Sequence, residues 1–475
     1  MSDKINNNRN NSSQKEHRIL STSQAVIYSL PLGGLQAIIG MMGFFAILFY
    51  TNIMGAPAIF TGLIYSGMLY LEAILSIMFG VFSDNIKSRM GGKKIIILSS
   101  IPIITLATIL LWVPPVPPTS YAFGSVFPPL LIWMLFFMFL FRLADAGYWS
   151  CYNALLPELS NDEKNRVKIS MIGMTITLVG IIFGILGPMI IMGDVTEDLP
   201  RDDPQLYIHG ANAIIAQEIA QGVFVFTILF NIIFIICIGI MLIFTKEPLK
   251  HSREKPSFSE IISDITGPFK DKNFRNYLIS FFLSWTPIVS LSYLLMNIAT
   301  YLLELRGSEF VIFMIVALCA GLFAFVLSQK LSAKYGIKKT LKICLLITFI
   351  PFVSIFVILF PLGHSLTVII GMILVSLCLI GFVGAMIFPS TIMSAIVDEA
   401  EKSSNKSLSG SYAGAYSMVL TGGSATSMLL VSLFLEIFGA EEKISYVGFF
   451  LFGAVLLILS LYFFRKVRIR SDETI

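Results

Sequence analysis

The chain has 475 residues, of which 56% are hydrophobic and only 13% are charged, and its mean hydropathy is +0.83. A soluble globular protein cannot bury so much apolar surface in its core, so this composition excludes that class and indicates a membrane protein. The formal net charge of +4 does not indicate nucleic-acid binding, because most of the basic residues lie in connections between apolar runs, where they suit anionic lipid head groups.

Twelve apolar stretches, each of 20 residues or more, follow one another along the chain. Stretches of this length match the hydrocarbon core of a bilayer, roughly 30 Å thick. A backbone in lipid must satisfy its own hydrogen bonds, and the absence of polar–apolar alternation excludes a β-barrel. We therefore predict an all-α membrane protein with twelve transmembrane helices. The predicted spans are residues 24–50, 58–83, 95–114, 127–153, 168–192, 219–245, 276–304, 309–330, 340–360, 366–396, 409–436 and 445–465.

The placement of basic residues predicts the orientation of the chain. Lysines and arginines occur between spans 2 and 3, 4 and 5, 6 and 7, and 8 and 9, and again after span 12. In the alternate connections, residues 51–57 and 115–126 carry no charge, and residues 194–203 are acidic. The positive-inside rule then places both termini in the cytoplasm, in agreement with the even number of spans. We expect a multi-pass protein of the cell membrane.

Polar segments divide the chain into five parts. Residues 1–23 are predicted to form a disordered cytoplasmic arm, because they are rich in Asn, Ser and Lys. The longest interior polar stretch, residues 246–275, is predicted to be a cytoplasmic linker. It separates one six-helix bundle, residues 24–245, from a second, residues 276–466, and residues 467–475 form a cytoplasmic tail.

The two halves echo each other at matching positions. Residues 90–94 (MGGKK) follow span 2, and residues 335–339 (YGIKK) follow span 8. Residues 154–158 (ALLPE) leave span 4, and residues 395–399 (AIVDE) leave span 10. These echoes indicate a duplicated six-helix unit. Parallel repeats of this kind build transporters in which two bundles rock around a site near the midplane of the membrane.

Several segments resemble those of a known transporter family. Residues 80–84 (GVFSD), followed by residues 89–94 (RMGGKK), resemble the signature between helices 2 and 3 of the major facilitator superfamily. Residues 149–162 (WSCYNALLPELSND), and residues 396–399 (IVDE) with the downstream residues 421–425 (TGGSA), resemble the glycoside–pentoside–hexuronide:cation symporters, which include the melibiose carrier. The resemblance implies alternating access, a sugar or glycoside substrate and a coupling cation.

The cation- and sugar-binding positions of that family are largely changed in this chain. The family has acidic residues on helices 1, 2 and 4 and a lysine on helix 11. At those positions this chain has Gln36, Glu72, Ser76, Trp149 and Thr421. Only one of the four acids remains and the lysine is lost. A sodium site of the family type is therefore not expected, although sodium remains an alternative to the proton as coupling ion.

Three charged residues within spans 2 and 4 form a candidate coupling site. Glu72 and Arg142 are at similar membrane depth, and Asp145 is one helical turn from Arg142 at spacing i, i+3. Charged residues at this depth are costly and usually mark transport pathways or paired sites. We predict that Arg142 pairs with both acids and that one of the acids takes up and releases a proton. The alternatives are a permanent structural ion pair and direct contact with substrate.

Polar and aromatic residues in other spans are candidates for the substrate cavity. Trp149, in particular, is able to stack on a sugar ring or a flat organic molecule, and the alternative role is a packed aromatic. The candidates are Gln36, Ser76, Trp149, Asn153, Trp285, Tyr293, Asn297 and Thr421.

A candidate cytoplasmic gate lies between spans 2 and 3. Asp84 at a helix end, with Arg89 and Lys93 across a tight glycine turn, is suited to latch the bundles together. The alternative for Asp84 is a solvated helix cap.

Motifs of enzymes and of metal sites are absent from the sequence. It contains no phosphate-binding Gly-Lys-Ser/Thr loop, and its four histidines are not in a metal-ligand cluster. We therefore expect no enzymatic activity, no cofactor and no metal.

The sequence predicts a secondary transporter that moves a small solute, a sugar or glycoside with proton coupling. Membrane lipids surround it, and a monomer is sufficient for alternating access. One alternative is a carrier or exporter of organic anions, lysolipids or drugs, supported by the lost acids and by Arg142 as an anion partner. A second alternative is a transport-inactive sensor with the same fold.

Overall fold

The computed structural model describes residues 20–85, 91–114, 128–159, 163–196, 213–245, 267–404 and 409–468. Within these residues, twelve helices are long and apolar enough to cross a membrane, which confirms the twelve predicted spans. The helices are α1 Thr22–Ile47, α2 Ala58–Asn85, α3 Gly92–Leu111, α4 Pro128–Leu159, α5 Glu163–Thr196, α6 Ala213–Phe244, α7 Lys272–Asn297, α8 Ser308–Tyr335, α9 Ile337–Ser354, α10 His364–Ser404, α11 Ser409–Phe438 and α12 Lys443–Arg465.

Several helices extend past the predicted spans. α4 continues to Leu159 and α10 to Ser404, although the predicted spans end at residues 153 and 396. The predictions follow apolar runs, whereas a helix continues as long as its backbone bonds form, even where its side chains reach the polar interface.

Local sequence explains where some helices begin and end. Ser21 and Gln24 form a capping box at the start of α1, with side-chain-to-backbone bonds of 3.3 and 3.0 Å. The Asp271 side chain accepts a bond from the Asn273 N–H (2.8 Å) at the start of α7. Gly336, with a φ of 77°, turns the chain directly from α8 into α9, a conformation that glycine adopts without steric cost.

The same helix packing occurs in both halves of the chain. In the first half, α1 packs against α5 and α6, α4 packs against α2 and α3, and α3 packs against α6. In the second half, α7 packs against α11 and α12, α10 packs against α8 and α9, and α9 packs against α12. The halves meet through α2 with α11, α5 with α8, and α1 with α7. Each of these five contacts in the first half has its counterpart in the second half when six is added to both helix numbers, as expected for a duplicated six-helix unit.

The first helix of each half ends in the same irregular turn. α1 continues into the π-helical turn Leu48–Ile53, and α7 continues into Ile298–Leu302. In each turn an i→i−5 backbone bond is followed by an i→i−6 bond, and the residue between the two donors has a positive φ: Gly55 (73°) and Glu304 (53°). The bonds run from the N–H of Met54 to the oxygen of Phe49, Ala56 to Tyr50, Leu303 to Ile298, and Leu305 to Ala299.

The halves contact each other at the end of the assembly opposite the chain termini. We call the end where α1 begins and α12 ends the terminal face, and the opposite end the distal face. At the distal face, Asn297 Nδ2 donates to Asn52 Oδ1 (3.2 Å) between α7 and the end of α1. The Ile59 N–H at the start of α2 donates to Glu436 Oε2 (3.2 Å) near the end of α11. The two halves are thus joined by polar contacts where their π-helical turns lie.

The domain boundaries and the orientation in the membrane stay predictions. Residues 1–19, 246–266 and 469–475 lie outside the described residues, and with them most of the predicted arm, linker and tail.

Candidate functional site

Three charged side chains lie together between α2 and α4. Arg142 Nη1 is 2.8 Å from Glu72 Oε2 and 3.8 Å from Asp145 Oδ2. The side chains of Arg142, Glu72 and Asp145 are 5%, 16% and 2% exposed. We call these three residues the ion cluster. The structure therefore brings together the residues of the predicted coupling site, while their role in coupling stays a prediction.

The two acids of the ion cluster differ in their hydrogen bonding to Arg142. Arg142 donates directly to Glu72, but Asp145 Oδ1 and Arg142 Nε are buried and have no hydrogen-bond partner among the described residues. With both acids ionised, one positive charge faces two negative charges. The cluster then carries one uncompensated negative charge in a low-dielectric environment.

Two tyrosines connect the ion cluster to the second half of the chain. The Arg142 guanidinium lies 5.3 Å from the centre of the Tyr65 ring on α2, within cation–π range. Tyr65 packs edge-to-face on Tyr293 of α7, with ring centres 5.8 Å apart. Tyr293 is among the predicted cavity residues, whereas the sequence analysis missed Tyr65. Tyr65 lies seven residues before Glu72, two turns away on the same helix face, and this spacing indicates that it lies on the same side of α2 as the ion cluster.

Other predicted cavity residues follow the ion cluster along α4. Trp149 is half-buried four residues after Asp145, and its ring lies edge-to-face against the rings of Tyr148 (5.8 Å) and Tyr152 (6.0 Å). Asn153, one turn further, is exposed. These residues extend from the ion cluster toward the terminal face.

The remaining predicted residues of the first half occupy different settings. Gln36 is half-buried on α1. Ser76 Oγ donates to the Glu72 backbone oxygen (2.9 Å), a bond within its own helix. Ser76 thus lies one turn from the ion cluster on α2.

In the second half, Trp285 and Thr421 lie near the contact of α7 and α2 with α11. Trp285 Nε1 donates to Ser424 Oγ (2.8 Å), which fixes the indole against α11. Thr421 is half-buried and precedes Gly422, whose backbone oxygen accepts from Tyr70 Oη on α2 (3.3 Å). The sequence analysis missed Tyr70 and Ser424, because single hydroxyl groups in apolar spans carry no distinctive pattern.

Asn297 lies apart from the ion cluster. It is fully buried at the distal face, where it bonds to Asn52 and to Tyr446 Oη (3.4 Å). It follows Tyr293 by one helical turn, which displaces it along α7 by about 6 Å.

The predicted gate residues are only partly described. Asp84 lies in the last turn of α2, where the structure describes the backbone alone, and Arg89 lies outside the described residues. Lys93 is buried in the first turn of α3. The neighbouring Lys94, which the sequence analysis did not select, donates from Nζ to the backbone oxygens of Leu242 (2.9 Å) and Thr245. It thereby ties α3 to the C-terminal end of α6, where a cation is favourable.

Among the residues that the structure describes, no group of three or more His, Cys, Asp or Glu side chains is arranged to hold a metal ion.

Comparisons with known proteins agree with this architecture. A family model described as MFS/sugar transport protein matches residues 27–469. No curated protein sequence matches the chain. Three solved structures are similar over nearly the whole chain, and at 14% sequence identity each likeness concerns the fold alone.

The three structures are all transporters. A mutant of the nucleoside transporter NupG has a TM-score of 0.61 and covers 94% of this chain and 99% of its own. A bacterial homologue of the human lysosomal transporter Spinster, inward-facing and unoccupied, has a TM-score of 0.59. It covers 97% of this chain and 99% of its own. A mutant of the E. coli fucose:proton symporter FucP has a TM-score of 0.56. It covers 94% of this chain and 98% of its own.

The match to the family model over nearly the whole chain, the twelve membrane-spanning helices and the shared fold confirm the predicted superfamily. The chain is a multi-pass membrane transporter of the major facilitator superfamily and belongs to its MFS/sugar transport family.

Proposed function

We propose that the chain carries an uncharged, hydroxyl-rich solute, a sugar or glycoside, across the cell membrane together with a proton. The observation that supports this most is the buried ion cluster, in which two acids face a single arginine. An uncompensated charge at membrane depth is costly. One bound proton removes it, so the cluster is suited to gain and lose one proton in each transport cycle.

Within the ion cluster, Asp145 is the better candidate for the exchanging proton. Glu72 makes the short bond to Arg142 (2.8 Å), whereas Asp145 is 3.8 Å away and one of its oxygens has no hydrogen-bond partner among the described residues. In a low dielectric, the carboxylate that lies farther from the positive charge is the easier one to protonate. Glu72 then serves as the fixed counter-ion of Arg142.

Few other charged groups face Asp145. On α3, which packs against α4, the only charged residues are Lys93 and Lys94 in the first turn, and α1 has none. The polar groups around Asp145 are Glu72 and Tyr65 on α2, and Arg142, Tyr148 and Trp149 on its own helix.

The surroundings of the ion cluster favour a ring-shaped neutral solute. Tyr65, Tyr293 and Trp285 are buried and Trp149 is half-buried in the closed arrangement of the two halves. When the halves separate, their rings become available on both halves, and sugar rings stack on such aromatic faces. An anionic solute is less favoured, because the two acids outnumber Arg142. The alternative of an organic-anion carrier therefore loses the support that the arginine gave it.

The joined distal face supports alternating access. With both termini in the cytoplasm, as the basic connections predict, the distal contacts between the halves close the outer end of the transporter. Transport then requires these contacts to break while the terminal face closes. A single chain contains both halves, so a monomer is sufficient.

Currents from proteoliposomes on a solid support test the proposal. Sugars, glycosides, organic anions and lysolipids are applied at two pH values, with and without sodium. We expect a current with a neutral sugar or glycoside that depends on pH and not on sodium. A sodium-dependent current contradicts proton coupling, and signals from anionic or amphipathic compounds alone favour the carrier alternative. A ligand that binds without being transported indicates the sensor alternative.

A further inference from the structure

The distal face contains buried polar groups with unused hydrogen-bonding capacity. Thr51, Asn52, Asn297 and Thr300 are 3%, 2%, 0% and 2% exposed. Thr51 Oγ1, Asn52 Nδ2, Asn297 Oδ1 and Thr300 Oγ1 have no hydrogen-bond partner among the described residues. We call these four residues the distal polar cluster. Buried polar groups are normally hydrogen-bonded, so four such atoms at one face of the protein indicate a candidate ligand site.

The distal polar cluster belongs to both halves, and its two threonines are equivalent positions of their repeat. Asn52 and Asn297 are bonded to each other across the halves (3.2 Å). Thr51 and Thr300 occupy the same place in the two π-helical turns, two residues after the acceptor of the i→i−5 bond. Thr300 lies three residues after Asn297, a spacing that brings side chains together on one helix face.

The backbone around the distal polar cluster has features of a moving part. π-helical turns are rare and occur frequently at functional sites. Glu304, just beyond the second turn, is the one non-glycine residue with a positive φ among the described residues. Its counterpart in the first half is Gly55. The unfavourable conformation at Glu304 is consistent with a segment that changes its shape when the halves separate.

We propose that the distal polar cluster is a second solute site, which opens at the distal face and binds the hydroxyl groups of an uncharged solute before it reaches the ion cluster. When the halves separate, two threonine hydroxyls and two carboxamides become available as donors and acceptors. The site rests on the proposed transport function, since it lies on the route that alternating access opens.

The chemistry of the distal polar cluster selects an uncharged ligand. None of its four residues is ionisable. The nearby acids are already engaged, since Glu304 pairs with Lys443 (2.7 Å) and Glu436 accepts from the Ile59 N–H (3.2 Å). A charged solute thus finds no counter-ion within the cluster itself, whereas hydroxyl groups find both donors and acceptors.

Cysteine labelling in proteoliposomes tests this site before the transported solute is identified. Thr300→Cys is treated with a membrane-impermeant maleimide, with the parent protein as the background for its native cysteines. The probes are glucose, a methyl glucoside and sorbitol, with glucuronate as the charged analogue. We expect Cys labelling at this position, protection by the neutral probes and no protection by glucuronate. Adding Thr51→Val should weaken the protection about fivefold, the effect of one lost hydrogen bond.

Ser328→Cys is the matched control. Ser328 is also fully buried, but it lies on α8, outside the contact of α1 with α7. We expect no labelling there. Failure to label the Thr300→Cys variant, or equal protection by glucuronate, overturns the second site.

Currents from the same proteoliposomes separate this inference from the proposed transport. Currents with neutral sugars but no protection leave the transport function standing and overturn the second site. Protection without current supports the site and contradicts the transport function.

Discussion

Asp145 and Glu72 are both carboxylic acids, but only Glu72 makes a short bond to Arg142. We therefore expect their neutral variants to differ in transport and in stability. In Asp145→Asn, the Arg142–Glu72 bond remains and no proton is exchanged. We expect loss of accumulation driven by a proton gradient, with exchange of labelled for unlabelled solute retained. Uptake and counterflow assays with the solute found in the current screen measure both. Glu218→Gln, an exposed acid on α6, serves as the control that retains both activities. If Asp145→Asn accumulates solute as the parent protein does, another residue binds the exchanging proton.

Glu72→Gln removes the short bond to Arg142 and leaves the buried guanidinium with only the distant Asp145. Breaking a buried ion pair in this way costs about 3–5 kcal/mol. We expect a lower thermal midpoint and loss of both exchange and accumulation, because Asp145 becomes the permanent partner of Arg142. A thermal unfolding assay and the two transport assays check this. If Glu72→Gln keeps both its thermal midpoint and its dependence on protons, Glu72 has no role in the ion cluster.

At the residue scale, the sequence predicted the charged residues better than their neighbours. Charge within an apolar span is conspicuous, and so Glu72, Arg142 and Asp145 were found. Tyr65 was missed because aromatic residues are common in lipid-facing helices, and its contact with Arg142 depends on how α2 packs on α4. The sequence analysis placed Asn297 with the cavity candidates as a polar residue within a span, whereas packing of the halves brings it against Asn52.

Close packing of α5 on α1 depends on two glycines. A Cβ at Gly180 would lie 2.2 Å from the Gly33 backbone oxygen, and one at Gly184 would lie 2.4 Å from the Ala37 oxygen. Since the obstacle is backbone, Gly180→Ala must push the helices apart, and overpacking of this kind costs about 1–3 kcal/mol. We expect a lower thermal midpoint in detergent. Gly239→Ala on α6, which meets no atom within 4 Å, is the control and should be neutral. Equal midpoints for the two variants contradict the close approach.

Lys94 joins α3 to α6 through the backbone oxygens of Leu242 and Thr245. Lys94→Met keeps most of the side-chain volume and removes the charge-assisted bonds, which contribute about 1.5–3 kcal/mol each. We expect a reduced thermal midpoint, with Lys330→Met, an exposed lysine on α8, as the neutral control. A midpoint unchanged in Lys94→Met shows that water replaces these bonds at no cost.

At the element scale, the number and order of helices followed directly from the apolar runs, but the π-helical turns did not. Leu48–Ile53 mixes apolar residues with Tyr, Thr and Asn, as other spans of this chain do, so no local pattern marks the change of hydrogen-bond register. The sequences of the two turns also differ. Their equivalence is visible only in the paired i→i−5 and i→i−6 bonds and in the positive φ of Gly55 and Glu304.

At the scale of the whole molecule, the repeated packing explains how one chain provides the two units that the proposed alternating access requires. Each half buries the same helix pairs, and the halves meet through α2 with α11, α5 with α8, and α1 with α7. The ion cluster lies in one half and reaches the other through Tyr65 and Tyr293 (5.8 Å). Under the proposed function, a change of charge on Asp145 would act on the contact between the halves through these two rings.

The proton movement that accompanies solute uptake tests this account most directly. Proteoliposomes in weakly buffered medium receive the neutral solute identified in the current screen, and the external pH is recorded for the parent protein and for Asp145→Asn. The account predicts that the medium becomes more alkaline as solute enters with the parent protein, and that the Asp145→Asn variant shows no pH change. Solute uptake without a pH change in the parent protein, or an undiminished pH change in the variant, contradicts it.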